Sequence, residues 1–564
     1  MRSTNRGFAF MVLLVVLGII VCVGDLRADE IKLWSIDKYQ NIVRTQSPDE
    51  STRPVPVLRI AMAQNEFRDA VFMIGPAERD MRLNVRVAVD GNLPDGFIET
   101  LETIYIKNRE GGETGDAIRP LNGALVVPKG QSRQIYLRAN TRTNAVSAGV
   151  YPFKVKLHDV DSNASRTLAG RVEVWDFALP PHDILPNQSW VQFEDSDFAG
   201  GELNAAAVRD MKKFGINVLF IHGRESPRPT SIGSDGTVAS FDDSMLRARI
   251  EPVLKVWREQ PGSERLRIIV TLAGMYDFGC PDVPGMSRME EKWKIVFAQW
   301  LRQLRTSMTN MGIDRNDWLL TFADETPYKD ILSTEVPVAE FARSVEPGIQ
   351  LLTDTSLNND PVAITSIIVN PAEADRLFKT FDVFQPNLRY VFLYDADETN
   401  GWYASQVRKH NKELWTYQCR TDLGVVRTGP VNNPYYDENN LYSYYRVSAW
   451  NMLKYGIAGT GMWTYCAQVN NWREGTCLLV YKIDDQLVHS RRFEMYREGL
   501  DDYRYVWLLR KLAREQGAAA EAKAEKLIAN AVADITTDAR DVSRCETWRA
   551  RIADEILKLK PEPD

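Results

Sequence analysis

The sequence predicts an N-terminal all-β sandwich followed by an α/β TIM-type (β/α)8 barrel with C-terminal helices. Short β-branched and aromatic runs, punctuated by turn formers, fill the chain from about residue 30 to 180. The texture then changes at Leu179-Pro180-Pro181, where two prolines favour an extended connection. Beyond it, strand-like runs alternate with amphipathic helical patterns, which is the signature of repeated βα units.

The N-terminus comes first. Arg2 and Arg6 precede an apolar run from Phe8 to Val23, and small residues follow between Gly24 and Ala28. That layout is a secretory signal peptide over 1–28. The run is short for a membrane span of about 20 residues, and Val21 before Cys22 is bulky for a lipoprotein site. The expected mature protein is exported, with no membrane span after signal removal.

In the β region, 29–180, the predicted strands are Val55–Ile60, Ala70–Ile74, Leu83–Val89, Thr103–Lys107, Gln134–Ala139, Tyr151–His158 and Arg171–Phe177. Asp90-Gly91, Glu110-Gly111-Gly112 and Asp161-Ser162-Asn163 separate several of them. In the barrel region, 181–512, the strands are Ser189–Glu194, Ile216–His222, Arg267–Leu272, Trp318–Phe322, Gln350–Asp354, Phe381–Pro386, Glu413–Cys419 and Thr460–Tyr465. Helical patterns lie between them at Leu203–Phe214, Asp243–Arg258, Ser287–Met311, Val336–Val345, Pro371–Lys379, Thr399–His410 and Leu441–Tyr455, with a last one at Arg491–Leu512. The third is the clearest: Ser287 and Glu290 read as a capping box, Trp293, Val296, Phe297, Trp300, Leu304 and Met308 follow at helical steps, and Gly312 closes it. A doubly wound open sheet is the rival architecture, but no G-x-x-x-x-G-K-[ST] loop appears and only Gly200-Gly201 follows the first strand. Residues 513–564 form an Ala- and charge-rich helical extension.

Composition narrows the function classes. A formal charge of −7 with no offsetting basic patch excludes a nucleic-acid partner. The five histidines are scattered and the cysteines match no zinc spacing, so no metal and no cofactor are expected. The mature chain keeps five cysteines, an odd number, with Cys466 and Cys477 the nearest pair. Neither G-x-S-x-G nor H-E-x-x-H occurs. Carboxylate chemistry is what remains.

Asp324-Glu325 ends the fourth barrel strand, and TIM barrels keep their chemistry at the C-terminal strand ends. Adjacent strand residues point to opposite faces, so the pair serves one site only if the chain is already leaving the strand, as Thr326-Pro327 indicates. Read locally, the same dipeptide is equally a solvated loop or a helix cap. Other strand ends carry Trp415, Tyr417, Trp463, Tyr465, Tyr276, Asp277 and Asn387, aromatic and amide groups suited to a sugar. Each aromatic alone reads as core; their shared location points to a cleft. His222 lines that site or is a satisfied polar group.

The residues also resemble a known family. Val174-Trp175-Asp176-Phe177-Ala178-Leu179-Pro180, Asp324-Glu325, Leu414-Trp415-Thr416-Tyr417-Gln418-Cys419, Tyr445-Arg446-Val447-Ser448-Ala449-Trp450, Gly461-Met462-Trp463 and Arg497-Glu498-Gly499-Leu500-Asp501-Asp502-Tyr503 are similar to glycoside hydrolase family 123 and the wider group sharing its catalytic domain. The resemblance covers nearly the whole mature chain. It implies a retaining β-N-acetylgalactosaminidase-like exo-glycosidase acting on a glycan or glycoconjugate. The sugar's own acetamido oxygen would attack the anomeric carbon, Asp324 would stabilise the acetamido group, and Glu325 would act as general acid and base. Two adjacent carboxylates then suffice, whereas ordinary retaining enzymes oppose theirs about 5 Å apart. Thr326 departs from the family pattern, which often places proline directly after the pair. The Arg497–Tyr503 run reads as structural. Rival readings are a two-carboxylate glycosidase using Glu325 with Glu474 or Asp354, and a non-catalytic carbohydrate-binding or cell-surface protein.

Overall fold

The computed structural model describes residues 31–49, 52–91, 93–107, 112–142, 146–191, 193, 196, 198, 200–263, 265–272, 286–324, 326–356, 371–388, 402–419, 440–466 and 478–560. The segment read as a signal peptide lies outside them, as do Tyr276, Asp277, Glu325, Glu474, Cys22, Cys280 and Cys477. The chain divides into two compact units between Leu179 and Pro180.

The first unit holds two sheets. One has the order β1 (Leu33–Trp34), β3 (Phe67–Ile74), β8 (Arg133–Asn140), β5 (Ile98–Lys107), β6 (Glu113–Pro120), all antiparallel. The other runs β2 (Leu58–Gln64), β10 (Ser165–Ala178), β9 (Gly149–Asp159), β4 (Met81–Val89), β7 (Leu125–Val127), with only β2 and β10 parallel. Alternate residues from both sheets, among them Phe72, Ile135 and Leu137 from one and Met62, Leu83, Val155 and Val172 from the other, share one core. Gly170 is required there, since a Cβ on it would lie 2.1 Å from Phe153 Cζ. The seven expected strands correspond to β2, β3, β4, β5, β8, β9 and β10. The sequence reading missed β1, β6 and β7, which are short or, like β6, carry buried polar residues such as Thr114 and Asp116 in place of an apolar alternation.

The second unit is mixed α/β, with a small antiparallel ribbon of β13 (Arg228–Pro229) and β14 (Phe241–Asp242). Its parallel segments β11 (Asn187–Gln188), β12 (Val218–Ile221), β15 (Arg267–Thr271), β16 (Trp318–Thr321), β18 (Gln350–Thr353), β20 (Val383–Phe384) and β21 (Glu413–Leu414) pair in that order. On its other side β11 pairs with β23 (Thr460–Trp463), which pairs with β22 (Gln418–Cys419). Tyr417 bridges to Asn387 and Trp415 to Gly459. The stretch 413–419 therefore pairs on one side with the 383–387 segment and on the other with 459–463. Seven of the eight strand runs expected from the sequence overlap these segments, shortened at their ends and with 413–419 divided into β21 and β22; the first strand lies at Asn187–Gln188, just before the expected Ser189–Glu194.

Helices fill the connections: α1 (Gly201–Phe214), α2 (Ser244–Glu259), α3 (Glu291–Asn310), α4 (Tyr328–Val345), α5 (Pro371–Thr380), α6 (Trp402–Lys409) and α7 (Ser448–Tyr455). Two corrections concern their starts. The N-cap of α3 is Glu290, which makes no side-chain cap bond, so Ser287 and Glu290 do not form the expected capping box. Helix α4 begins at Tyr328, well before the expected Val336, and carries Pro337 in its interior.

A hairpin of β24 (Val480–Ile483) and β25 (Gln486–Ser490) leads into α8 (Arg491–Gln516), which Ser490 caps through Phe493 N. Helices α9 (Ala518–Thr537) and α10 (Ser543–Leu559) follow. Helix α8 carries the Arg497–Tyr503 run, and that run is structural. Arg497 pairs with Glu494 at 2.9 Å and Asp501 at 2.8 Å, and Arg504 pairs with Asp501 at 2.6 Å. Arg446, fully buried, meets Asp502 at 2.9 Å and Glu498 at 3.3 Å. Gly499 lets the two segments touch, because a Cβ on it would lie 2.6 Å from the Arg446 carbonyl oxygen. Buried charges of this kind persist only when paired. Among the described residues no helix is long and apolar enough to cross a membrane.

Candidate active site

The interior of the parallel segments is apolar and aromatic. Trp190, Val218, Phe220, Ile269, Leu319, Leu352, Val383, Trp415 and Tyr417 form one cluster, with Trp463 packed against it. Trp190 is its hub, 4.9 Å from Tyr417, 5.7 Å from Phe220 and 5.9 Å from Trp463 by ring centroids. Because strand side chains alternate, the residues two steps beyond this cluster face the same interior towards the C-terminal ends. They are His222 after Phe220, Thr271 after Ile269, Thr321 after Leu319, Asp354 after Leu352 and Gln385 after Val383.

Asp324 follows that end of β16, three residues past Thr321, and keeps part of its surface accessible. The next residues, β17 (Thr326–Pro327), pair in parallel with β19 (Thr355–Ser356), continuing the β16–β18 pairing past the strand ends. Asp324 thus sits where the chain has left the strand but is still held by a sheet-like contact. Glu325, its neighbour, is outside the described residues.

The other expected site residues divide. Trp463 remains partly accessible at the end of β23, and His222 and Asn387 are half-buried at theirs. The His222 ring meets Phe220 at 5.2 Å, and its backbone N–H donates to Glu225 Oε2 at 2.9 Å. Tyr417 is buried, 3% exposed, as a wall of the core.

The expected contact of Tyr417 with a ligand therefore fails, and two more such expectations fail with it. Trp415 is 2% exposed and donates its Nε1–H to Glu413 Oε2 at 2.8 Å. It lines a depression with Arg267, Gln350, Val383 and Glu413, which begin their strands, so it lies towards the N-terminal ends, away from Asp324. Tyr465 is fully buried, donating to Asp210 Oδ2 at 2.8 Å and meeting Phe493 edge-on. It serves the contact of the 460–465 segment with α1 and α8. Tyr276 and Asp277 lie outside the described residues.

Buried polar groups add what the aromatic pattern left out. Asp354 and Gln385 are 4% and 1% exposed on the interior face, and Gln385 Nε2 has no hydrogen-bond partner among the described residues. Glu335, on α4, is fully buried, and burial pushes its carboxyl up to about 7, Asp324 adding to the rise while Thr326, Arg288 and Thr353 oppose it. Its signal in the sequence is its place in the buried stripe Ile331, Glu335, Val338, Ala339, Ala342, a lone carboxylate among apolar residues at helical spacing. Asp324, Asp354 and the amides of Gln385 and Asn387 thus bring acidic and hydrogen-bonding groups to the C-terminal ends of the parallel segments, groups of the kind that can move protons.

The chain aligns with a family 123 glycoside hydrolase from Clostridium perfringens at a TM-score of 0.66, over 94% of this chain and 98% of that one, at 12% identity. In fold, this chain resembles a family 123 glycoside hydrolase. The resemblance expected from the sequence motifs thus holds at the level of the fold. An endo-β-1,4-mannanase from Thermotoga petrophila aligns over 58% of this chain and 77% of its own, at 12% identity and a TM-score of 0.35. No family model matches the chain, and no curated protein matches it.

Proposed function

We propose that the protein is an exported glycoside hydrolase built as a β-sandwich followed by a (β/α)8 barrel. The observation that carries this reading is the position of Asp324 just past the C-terminal end of β16, within a fold that matches a glycoside hydrolase along nearly its full length. The substrate is a terminal N-acetylhexosamine, galacto configuration favoured, on a glycan such as the glycolipid glycan that the Clostridium relative hydrolyses. Asp324 orients and stabilises the acetamido group as its oxygen attacks the anomeric carbon. Glu325 protonates the leaving oxygen and then takes a proton from water. Trp463, the one expected aromatic with accessible surface among the described residues, packs against a sugar face. Asp354, a buried carboxylate following β18, supports a second reading, in which it would act with Glu325 in a two-carboxylate mechanism.

A panel of aryl N-acetylhexosaminides and plain glycosides, run on the wild type, Asp324→Asn, Glu325→Gln and Asp354→Asn, tests both. The first reading expects turnover of the N-acetyl substrates alone, inhibition by a thiazoline that mimics the oxazolinium ion, and loss of about a hundredfold or more in kcat for Asp324→Asn. Turnover of plain glycosides, insensitive to the thiazoline and lost in Asp354→Asn, would favour the second. No turnover of any glycoside would leave a carbohydrate-binding protein.

A further inference from the structure

The beginnings of the parallel segments, at the opposite end from Asp324, enclose a hollow of about 360 Å³ floored by Leu319, Val383 and Trp415. Those three belong to the interior cluster, so the hollow is the outer face of that core at the strand starts. Its wall carries four cations, Arg265, Arg267, Arg343 and Lys412, against two carboxylates, Asp382 and Glu413. It is thus cationic on a chain whose formal charge is −7. Arg343 comes from the last turn of α4, and Lys412 immediately precedes β21. The carboxylates are already engaged. Asp382 accepts from Arg343 Nη2 at 2.9 Å, from Lys412 Nζ at 3.0 Å and from the Leu351 N–H at 3.0 Å. Glu413 accepts from the Trp415 indole at 2.8 Å. Arg265 is tied to Asp317 and to the Asn316 carbonyl.

Arg267 is the exception. It opens β15 two residues before Ile269, so strand alternation projects it on the interior side, into the hollow. It is half-buried, yet its guanidinium makes no hydrogen bond and no ion pair among the described residues. Burial disfavours its charge and Arg265 adds to that, against attraction from Glu413, Asp317 and Asp183. Arginine stays protonated all the same, so a fork of N–H donors faces the hollow with no acceptor. Strand starts of this kind ordinarily serve stability, and a charge placed there for that purpose is expected to be paired. We propose that the hollow is an anion-binding site that takes a sulfate or phosphate monoester carried on a monosaccharide-sized body. Arg267 offers its free fork to the oxyanion. Arg343 and Lys412, held in place by Asp382, keep further N–H groups without an acceptor and present them from other sides. Donors from several sides suit a tetrahedral oxyanion better than a flat carboxylate. The volume points to a body beyond the oxyanion, since about 360 Å³ lies within the range of about 300–1,000 Å³ typical of small-molecule pockets. The site stands whether or not Asp324 is catalytic.

Calorimetric titration of the full chain with glucose 6-sulfate, glucose 6-phosphate, glucose and sodium sulfate tests the proposal. The proteins are the wild type, Arg267→Gln, Lys412→Gln and Asp324→Asn. At least one ester should bind the wild type with a Kd of about 1 mM or tighter. Which ester it is distinguishes a sulfated from a phosphorylated sugar. Arg267→Gln should weaken that binding about tenfold or more, and Lys412→Gln about threefold. Raising the salt from about 50 to about 300 mM should weaken it too, because the hollow is open to solvent ions. Asp324→Asn should bind the ester as the wild type does. Arg267→Gln breaks no bond of the free protein, so an unchanged melting midpoint separates lost binding from lost folding. If that variant does not fold, Lys412→Gln carries the decision, and wild-type affinity in it would overturn the proposal. No heat from either ester at about 10 mM, equal affinity in Arg267→Gln and wild type, or glucose binding as tightly as its esters would each overturn it. Sodium sulfate binding as tightly as the esters would show an adventitious ion only, and would overturn the sugar-borne ligand. Failure of the glycoside panel would leave these titrations untouched and count against the glycosidase reading alone.

Discussion

Gly459 lies against the indole of Trp415: a Cβ built on it would sit 2.5 Å from Trp415 Cγ and 2.7 Å from Cδ1. The two residues also bridge in parallel, joining the 413–419 stretch to the segment that ends in Trp463. A large ring can turn into the interior here only because its neighbour has no side chain.

Gly459→Ala is therefore expected to destabilise the protein by about 1–3 kcal/mol through overpacking. A thermal melt against the wild type checks it. An unchanged midpoint would mean that the ring has room to move aside.

Trp463 and Tyr465 are two residues apart and should behave differently. Trp463→Ala removes an accessible ring at the strand end and, on the proposed function, should raise KM about tenfold by loss of stacking. Tyr465→Phe removes the bond to Asp210 and should lower stability by about 1 kcal/mol with kcat and KM unchanged. Steady-state kinetics and melting curves on both variants separate the roles; a KM effect in Tyr465→Phe would return that residue to the site.

His489 supplies a pH dependence of stability. It lies between Asp210 at 2.9 Å and Glu494 at 2.8 Å. Burial alone would lower its pKa, but the Asp210 and Glu494 carboxylates outweigh it and raise it to about 8 from an ordinary 6.5. The folded value lies above the unfolded one, so the protonated form stabilises the fold. The contribution, about 2 kcal/mol, is fully present below about pH 6.5 and disappears as the pH rises through about 8. Unfolding midpoints at pH 6 and pH 9 should fall in the wild type by more than in His489→Gln. Parallel curves for the two would contradict the assignment.

Arg446→Met should be among the most damaging single changes. It removes the buried cation that Glu498 and Asp502 share, a loss expected to cost about 3–5 kcal/mol. Denaturant unfolding measures it. Restoring neutrality with Asp502→Asn in the same chain should recover part of the loss.

Much of the architecture was legible because it depends on local signals. Apolar runs bounded by turn formers marked the strands, and three- and four-residue steps marked the helices. The exceptions are instructive. Strand β6 was missed because its buried residues include Thr114 and Asp116, whose burial is decided by the sheet around them. The start of α4 was misplaced because Pro337, a residue typical of a helix's first turn, sits in its interior. Of the candidate site, the acidic residue at the strand end was legible, since composition and motif pointed to carboxylates.

What the sequence by itself determined is the order of elements, the boundary near Pro180 and Asp324 as the acid at a strand end, all set by patterns within a few residues. Only the tertiary structure decided which aromatics face a ligand. Trp415, Tyr417, Trp463 and Tyr465 look alike in sequence, yet Trp463 alone of the four keeps accessible surface. Depth along a strand and the side it faces depend on its neighbours' register, and that is a property of the assembled sheet.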